Sequence, residues 1–123
     1  MAASAARFAQ AARSSQILFL PGGFSGGDEP DGSGKFIASF LRNPRLTDAI
    51  HDLLRDRDGL MLGICNGFQA LIKLGLVPFG EIRDTDAACP TLTYNVIGRH
   101  QSRIVRTRAV SYTHLTLPTI CSV

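Results

Sequence analysis

A cysteine lies between an apolar run and an amphipathic segment, with a glycine two residues away on either side. Residues 60–64 form the apolar run, and Cys65 stands between Gly63 and Gly67. This spacing is typical of a nucleophile elbow, a tight strand-to-helix turn in which glycines keep side chains away from the neighbouring strand and helix. The pattern predicts a buried strand, an exposed sulfur and a helix over 66–74, and it constrains the fold more than any other feature.

Strand and helix patterns also alternate before this motif. Residues 17–20 are continuously apolar and stop at Pro21, as expected for a parallel strand buried on both faces. Two stripes of apolar residues at helical spacing follow. They consist of Phe36, Ile37, Phe40 and Leu41, and of Leu46, Ile50, Leu53 and Leu54. Because strands and helices alternate, the sequence predicts an α/β fold with a parallel sheet.

The second helical stripe has start and stop signals of its own. Asn43 is placed to cap the helix and Pro44 to occupy its first turn, while Asp58 and Gly59 end it. His51 lies off the apolar stripe. A single histidine in such a position is interpreted as a solvated surface residue rather than a catalyst.

Cys65 is the candidate nucleophile. At the start of a helix, the positive end of the helix dipole favours the thiolate that attacks carbonyl carbon. The backbone amide of Asn66 is a candidate oxyanion donor, and the loop with Gly22 and Gly23 is a candidate source of a second one. Both loops are expected at the carboxyl ends of parallel strands, where open α/β sheets bind ligands. The plainer alternative is a buried cysteine acting as a small apolar residue, but the flanking glycines favour catalysis.

The glycine-rich segment 22–34 does not fit two other kinds of binding loop. A phosphate-binding loop requires Ser or Thr after Gly-Lys, whereas Phe36 follows Gly34 and Lys35. A calcium loop beginning at Asp28 requires a glutamate where Ser39 stands. A solvated loop without a binding role stays open for residues 28–34.

Composition excludes several classes of function. The 123 residues are 45% hydrophobic, which suits one small globular domain. The net charge of +3 is weak, and Arg99, Arg103, Arg106 and Arg108 have no aromatic residues among them. These arginines favour a solvated face or a domain contact, so we expect no nucleic acid partner.

Three cysteines without a CxxC pair suggest neither a disulfide framework nor a zinc site, so we expect no metal here. No apolar run approaches the roughly 20 residues that span a membrane. These features predict a soluble cytoplasmic protein without a membrane partner.

The ends of the chain differ from its middle. Residues 1–16 predict a weak helix that leads into the first strand, and residues 17–110 a partial domain. Residues 92–97 and 104–110 have strand patterns that predict a hairpin. Residues 111–123 carry no charge and repeat threonine, and we interpret them as a non-native, adapter-like tail.

Two motifs together resemble one known family. Residues 20–28 read Leu-Pro-Gly-Gly-Phe-Ser-Gly-Gly-Asp, and residues 62–69 read Leu-Gly-Ile-Cys-Asn-Gly-Phe-Gln. This pair resembles the class I glutamine amidotransferase domain of phosphoribosylformylglycinamidine synthases. Residues 91–103 also resemble that family, especially its large single-chain bacterial form. The resemblance covers residues 16–110 and implies part of a doubly wound, flavodoxin-like parallel sheet.

The resemblance implies a function. Cys65 would attack the side-chain amide of glutamine, with Gln69, Phe24, Ser25 and Arg99 binding that substrate. Ammonia would pass to a synthase domain of the same parent chain. There, ATP and Mg²⁺ would activate formylglycinamide ribonucleotide for purine biosynthesis, and no cofactor is expected in the present segment.

In this family, a histidine and a glutamate in a His-x-Glu arrangement complete the catalytic triad of the cysteine. Neither His100 nor His114 is followed by an acid two residues later, and His100 lies in a Gly-Arg-His segment. We do not assign it as the base. The family's opening strand is also missing, so we expect a fragment that is nearly inactive alone. An inert truncated α/β fragment is the alternative, and a relative of the intracellular protease and chaperone group is a third possibility.

Overall fold

The computed structural model describes residues 2–23, 34–92, 96–99, 101–106, 110–111 and 115–116. The helices are α1 Ala2–Ser14, α2 Lys35–Leu41, α3 Pro44–His51, the π-helical segment Asp52–Asp56, α4 Asn66–Leu74 and α5 Leu76–Phe79. The strands are β1 Ile17–Leu20, β2 Leu60–Gly63, β3 Val110–Ser111 and β4 Leu115–Thr116. None of the helices in these described ranges is both long enough and apolar enough to cross a membrane.

The two longer strands form the parallel pair that the sequence predicts. Strand β1 pairs with β2 in a register that runs from Ile17 opposite Leu60 to Leu20 opposite Gly63. A parallel pair requires a crossover connection, and helices α2 and α3 provide it. The predicted α/β fold with a parallel sheet is confirmed.

The prediction that these strands are buried on both faces is wrong for the described structure. Ile17 and Phe19 in β1 are 59% and 50% exposed, and Leu60 in β2 is 44% exposed. Alternate residues point to opposite faces of a strand, so only Leu18, Leu20 and Met61 reach the core. A continuous apolar run indicates that both faces of a strand can be buried, but the described helices cover only one face of this sheet.

The core lies between the helices and the covered face of the sheet. Helix α1 packs against α3 through Ala5, Ala9 and Ala12, and small side chains allow two helices to approach closely. Phe8 meets Phe40 of α2 edge to face, with ring centroids 5.7 Å apart. Helix α1, which the sequence predicts as a weak leader helix over 1–16, therefore contributes its alanine stripe to the core, because small side chains bury well despite their low hydrophobicity.

The start of α3 agrees with its sequence signals. The Asn43 side chain accepts a hydrogen bond from the Arg45 amide at 3.1 Å, and Pro44 occupies the first turn. The interpretation of His51 as a solvated residue is wrong. Its ring is half-buried, and Nε2 accepts a hydrogen bond from the Ile82 amide at 3.0 Å. A tertiary contact 31 residues away in sequence explains why the helical pattern gave no sign of this role.

The hairpin predicted over 92–97 and 104–110 does not form in the described residues. Residues 96–99 make a turn, 101–106 have no regular structure, and Val96 and Ile104 are fully exposed. Strand patterns need a surface to pack on, and the described structure offers these side chains none. Instead, β3 pairs antiparallel with β4, Ser111 opposite Leu115. Our interpretation of 111–123 as a non-native tail stays a prediction. The division of the chain into residues 1–16, 17–110 and 111–123 also stays a prediction.

Arg57 joins the end of α1 to the segment before β2. Its guanidinium donates to the carbonyls of Ala12 and Ser15, both at 2.8 Å, and to the carboxylate of Asp52 at 2.9 Å. The last carbonyls of a helix have no partner within it, so Arg57 caps α1. This one side chain thereby fixes the entry of the chain into β1.

We expect Arg57→Ala to lower the free energy of unfolding by about 1–3 kcal/mol, since helix carbonyls lose a charged donor. Urea unfolding followed by circular dichroism measures the change. Arg7→Ala is the matched control, because Arg7 is exposed on α1, and it should stay within about 0.5 kcal/mol of the parent chain. Equal losses in both variants would contradict the capping role.

Candidate functional site

Cys65 has the backbone conformation of a nucleophile elbow. It follows β2 by two residues, precedes α4 directly, and has φ 53° and ψ −114°. A non-glycine residue with positive φ is strained and persists only where its surroundings hold it. Here the Gly67 amide donates to the Ile64 carbonyl and the Gln69 amide to the Cys65 carbonyl, both at 3.0 Å. The predicted turn is therefore present.

The two flanking glycines are required by close contacts. A Cβ atom on Gly67 would lie 2.1 Å from the carbonyl oxygen of Leu20 in β1. A Cβ atom on Gly63 would lie 2.7 Å from Leu71 Cδ1 and 2.8 Å from the Gly67 carbonyl. Side chains at these two positions would push α4 away from both strands. The glycines thus set how closely the helix after the nucleophile approaches the sheet.

The loop after β1 meets the elbow. A Cβ atom on Gly22 would lie 3.0 Å from Cys65 Cβ and 3.8 Å from Cys65 Sγ. Gly23 has φ +141°, and no atom lies within 4 Å of where its Cβ would be. The two predicted loops are therefore adjacent, as the parallel pairing of their strands requires. Their role as oxyanion donors stays a prediction, and Phe24 and Ser25 lie outside the described residues.

Gly34 makes a contact with the elbow that the sequence did not predict. It is buried at the start of α2 with φ +69°, and a Cβ atom there would lie 2.6 Å from the Asn66 carbonyl oxygen and 2.8 Å from Ala70. The described residues on both sides of segment 24–33 therefore contact the elbow, Gly22 on one side and Gly34 on the other. The sequence signal for this position is a glycine directly before a helix. That signal does not reveal the contact with the elbow, which depends on the packing of α2 on α4.

Two buried polar residues follow the cysteine. Asn66 and Gln69 are each only 7% exposed. Gln69 lies one helical turn beyond Cys65, so both residues belong to the same side of the helix. Within the described ranges, the Gln69 side-chain amide has no hydrogen-bond partner. A buried amide that makes no hydrogen bond costs about 1–3 kcal/mol.

Of the remaining candidates, two lie within the described residues and one lies outside them. Arg99 is exposed in the turn 96–99, and its role in substrate binding stays a prediction. His51, the histidine within the described part of the chain, has its acceptor nitrogen bonded to the Ile82 amide. His100 lies outside the described residues. What the described site offers is a half-buried thiol at a helix start, beside a glycine loop.

The chain is similar to known proteins over most of its length. The family model of the CobB/CobQ-like glutamine amidotransferase domain matches residues 3–119. The phosphoribosylformylglycinamidine synthase subunit PurQ of Dehalococcoides mccartyi is 42% identical over 88 residues, which are 72% of this chain and 32% of that protein. The PurQ subunit of Methanococcus maripaludis is 34% identical over 81% of this chain and 39% of its own length.

The phosphoribosylformylglycinamidine synthase of Drosophila melanogaster is 40% identical over 70% of this chain and 6% of its own length. The chain thus spans about a third of the length of the PurQ relatives it matches. No solved structure matches the chain significantly.

We expect Gly67→Ala to destabilise the chain by about 1–3 kcal/mol, because overpacking against the Leu20 backbone outweighs the roughly 1 kcal/mol gained in helix propensity. Gly80→Ala is the control, since Gly80 has φ +73° but no atom within 4 Å of a Cβ. It should cost only the backbone strain of about 1–2 kcal/mol.

Urea unfolding of both variants measures the free energy of unfolding. The alkylation rate of Cys65 reports whether the elbow keeps its geometry. Gly80→Ala should leave the alkylation rate of Cys65 unchanged, whereas Gly67→Ala should change it. If Gly67→Ala is as stable as the parent chain and leaves the alkylation rate unchanged, the described approach of α4 to β1 is wrong.

Proposed function

Because this chain belongs to the CobB/CobQ-like glutamine amidotransferase domains, we propose that it forms the nucleophile-bearing part of a glutaminase. The parent enzyme is a phosphoribosylformylglycinamidine synthase of purine biosynthesis. The observation that carries the proposal is Cys65 at φ 53°, between β2 and α4 and against Gly22. A strained cysteine at a helix start is suited to nucleophilic attack on an amide.

The reaction proceeds in two stages. The Cys65 thiolate attacks the side-chain amide carbon of glutamine, and the amides of Asn66 and of Gly22 or Gly23 stabilise the resulting oxyanion. The carbon–nitrogen bond then breaks, and the proton that Cys65 gave up leaves with ammonia. Water hydrolyses the thioester to glutamate and restores the thiol. In the family that the motifs resemble, a histidine and a glutamate outside those motifs carry the protons.

Substrate binding is assigned to the turns around the nucleophile. Gln69 supports this assignment because its amide is buried one turn from Cys65 and has no partner within the described ranges. An amide both donates and accepts hydrogen bonds, which suits the carboxylate and ammonium groups of glutamine. Phe24, Ser25 and Arg99 complete the proposed substrate contacts.

Ammonia is the product that the parent enzyme uses. We assign its consumption to a synthase component that converts formylglycinamide ribonucleotide to formylglycinamidine ribonucleotide with ATP and Mg²⁺, in the cytoplasm. The names of the relatives, which are phosphoribosylformylglycinamidine synthases or their PurQ subunits, support the synthase component of this assignment. We place that component on the same parent chain, as in the large single-chain bacterial form, and assign no cofactor to the present segment.

Labelling with a glutamine-like electrophile tests the proposed function. Peptide mass spectrometry should find Cys65 modified faster than Cys89 and Cys121, and glutamine should slow the reaction at Cys65 alone. Cys65→Ser should remove the fast site and leave the other two unchanged. Equal labelling of all three cysteines, with no effect of glutamine, would instead identify the chain as an inert α/β fragment.

We expect Gln69→Met to weaken glutamine binding without unfolding the chain. The side chains have similar volume, and loss of hydrogen bonds worth about 1.4 kcal/mol raises the glutamine concentration for half-protection of Cys65 about tenfold. Gln10→Met is the matched control, because Gln10 is exposed on α1. Half-protection at the same glutamine concentration in both variants would remove Gln69 from the substrate site.

A further inference from the structure

A second concave region lies apart from the nucleophile. A cavity of about 540 Å³ opens between α2, the end of α4 and the irregular segment 85–91, and we call it the α2 cavity. Cys65, Gly22 and Gln69 are not among its lining residues. Its volume lies within the range of small-molecule sites. The cavity is therefore separate from the proposed glutaminase site.

The lining of the α2 cavity is positively charged. The chain contains only two lysines, Lys35 and Lys73, and both line this cavity together with Arg42. Asp86 is the acidic residue in the lining. Three cations and one anion line the cavity, and a second anion, Asp84, pairs with Arg42 from outside the lining. A concave surface lined mainly by one sign of charge concentrates ligands of the opposite sign.

The acidic groups nearby have hydrogen-bond or ion-pair partners, and one of these partners is Arg42 of the lining. Asp86 Oδ1 accepts from the Ala88 amide at 2.9 Å. Hydrogen bonds from the Cys89 thiol and the Ala88 amide, with the charge of Arg83, hold the pKa of Asp86 below its ordinary value. Asp84, which is fully exposed, pairs with Arg42 at 3.1 Å. Asp86 is thus an anion that stabilises its own turn.

Lys73 is the partly buried lysine of the lining. It is half-buried near the end of α4, and within the described part of the chain no acid pairs with it. Arg42 fixes its position, since Nη2 donates to the Lys73 carbonyl at 3.1 Å and to the Arg83 carbonyl at 3.2 Å. Partial burial of an ammonium without a counterion costs free energy that a bound anion recovers.

We propose that the α2 cavity binds the phosphate group of a small phosphorylated molecule, with Lys73 as its main contact. Lys35 and Arg42 add positive charge, and the Ser39 hydroxyl lies in the lining as a hydrogen-bond donor. Converging cations favour a dianion over a single carboxylate because the attraction scales with charge. The volume suits a sugar phosphate or a mononucleotide. This site does not depend on the proposed glutaminase reaction.

The small number of lysines allows a direct test on the folded chain, checked by its helical circular dichroism. Reductive methylation with formaldehyde modifies Lys35, Lys73 and the N-terminal amine, which is the internal reference. Phosphate should slow modification of Lys73 relative to that reference, about fourfold at three times the dissociation constant, whereas chloride at equal ionic strength should not. An unchanged ratio with phosphate, ribose 5-phosphate and adenosine monophosphate overturns the proposal.

The three ligands also separate the sources of the phosphate. Protection by all three identifies the phosphate group itself as the recognised feature, and protection by the two organic phosphates alone identifies a phosphorylated metabolite. Adenosine carries no phosphate group. If it protects Lys73 from methylation, the proposal is overturned, because the nucleoside would then be the recognised feature.

Matched charge variants provide an independent measurement. Lys73→Met keeps the aliphatic stem but removes the charge, and it should abolish the rise in melting temperature that phosphate causes. Arg7→Met removes one positive charge from an exposed site on α1 and should keep that rise. If both variants keep it, phosphate binds elsewhere and the assignment to the α2 cavity fails.

Discussion

The structure depends on how closely one helix approaches the sheet. The first turn of α4 meets the end of β1 so tightly that a Cβ atom on Gly67 would lie 2.1 Å from the Leu20 carbonyl oxygen. Only glycine permits this distance. Because α4 begins there, the turn from β2 must be very short, and Cys65 is held at φ 53°. The strained backbone of Cys65 is thus a consequence of close packing between the backbones of α4 and β1.

The same approach brings the neighbouring loops to the nucleophile. Gly22 follows β1 and meets Cys65, while Gly34 precedes α2 and meets Asn66. Parallel pairing of β1 with β2 places both turns at one edge of the sheet. The charged α2 cavity uses another part of α2 and α4, so one pair of helices supports both the elbow and the proposed phosphate site. Separate parts of the same two helices thus line the elbow and the charged cavity.

Local signals predicted the features that depend on a few neighbouring residues. The cap at Asn43, the end of α4 at Gly75 and the turn at Cys65 are each encoded within a helical turn of sequence. Features that depend on distant residues were missed. His51 bonds to Ile82 and α1 buries alanines against α3, whereas Val96 and Ile104 are fully exposed in the described structure.

By itself, the sequence determined the alternation of strands and helices, the position of the elbow at Cys65 and the resemblance to glutamine amidotransferases. Glycine spacing and apolar periodicity are local, so they can be read without coordinates. Only the tertiary structure decided which face of β1 and β2 is covered, that Gly34 touches the elbow, and that Lys35 and Lys73 share one cavity. The physical reason is that these relations join residues far apart in the chain, whose distances are set by packing rather than by sequence order.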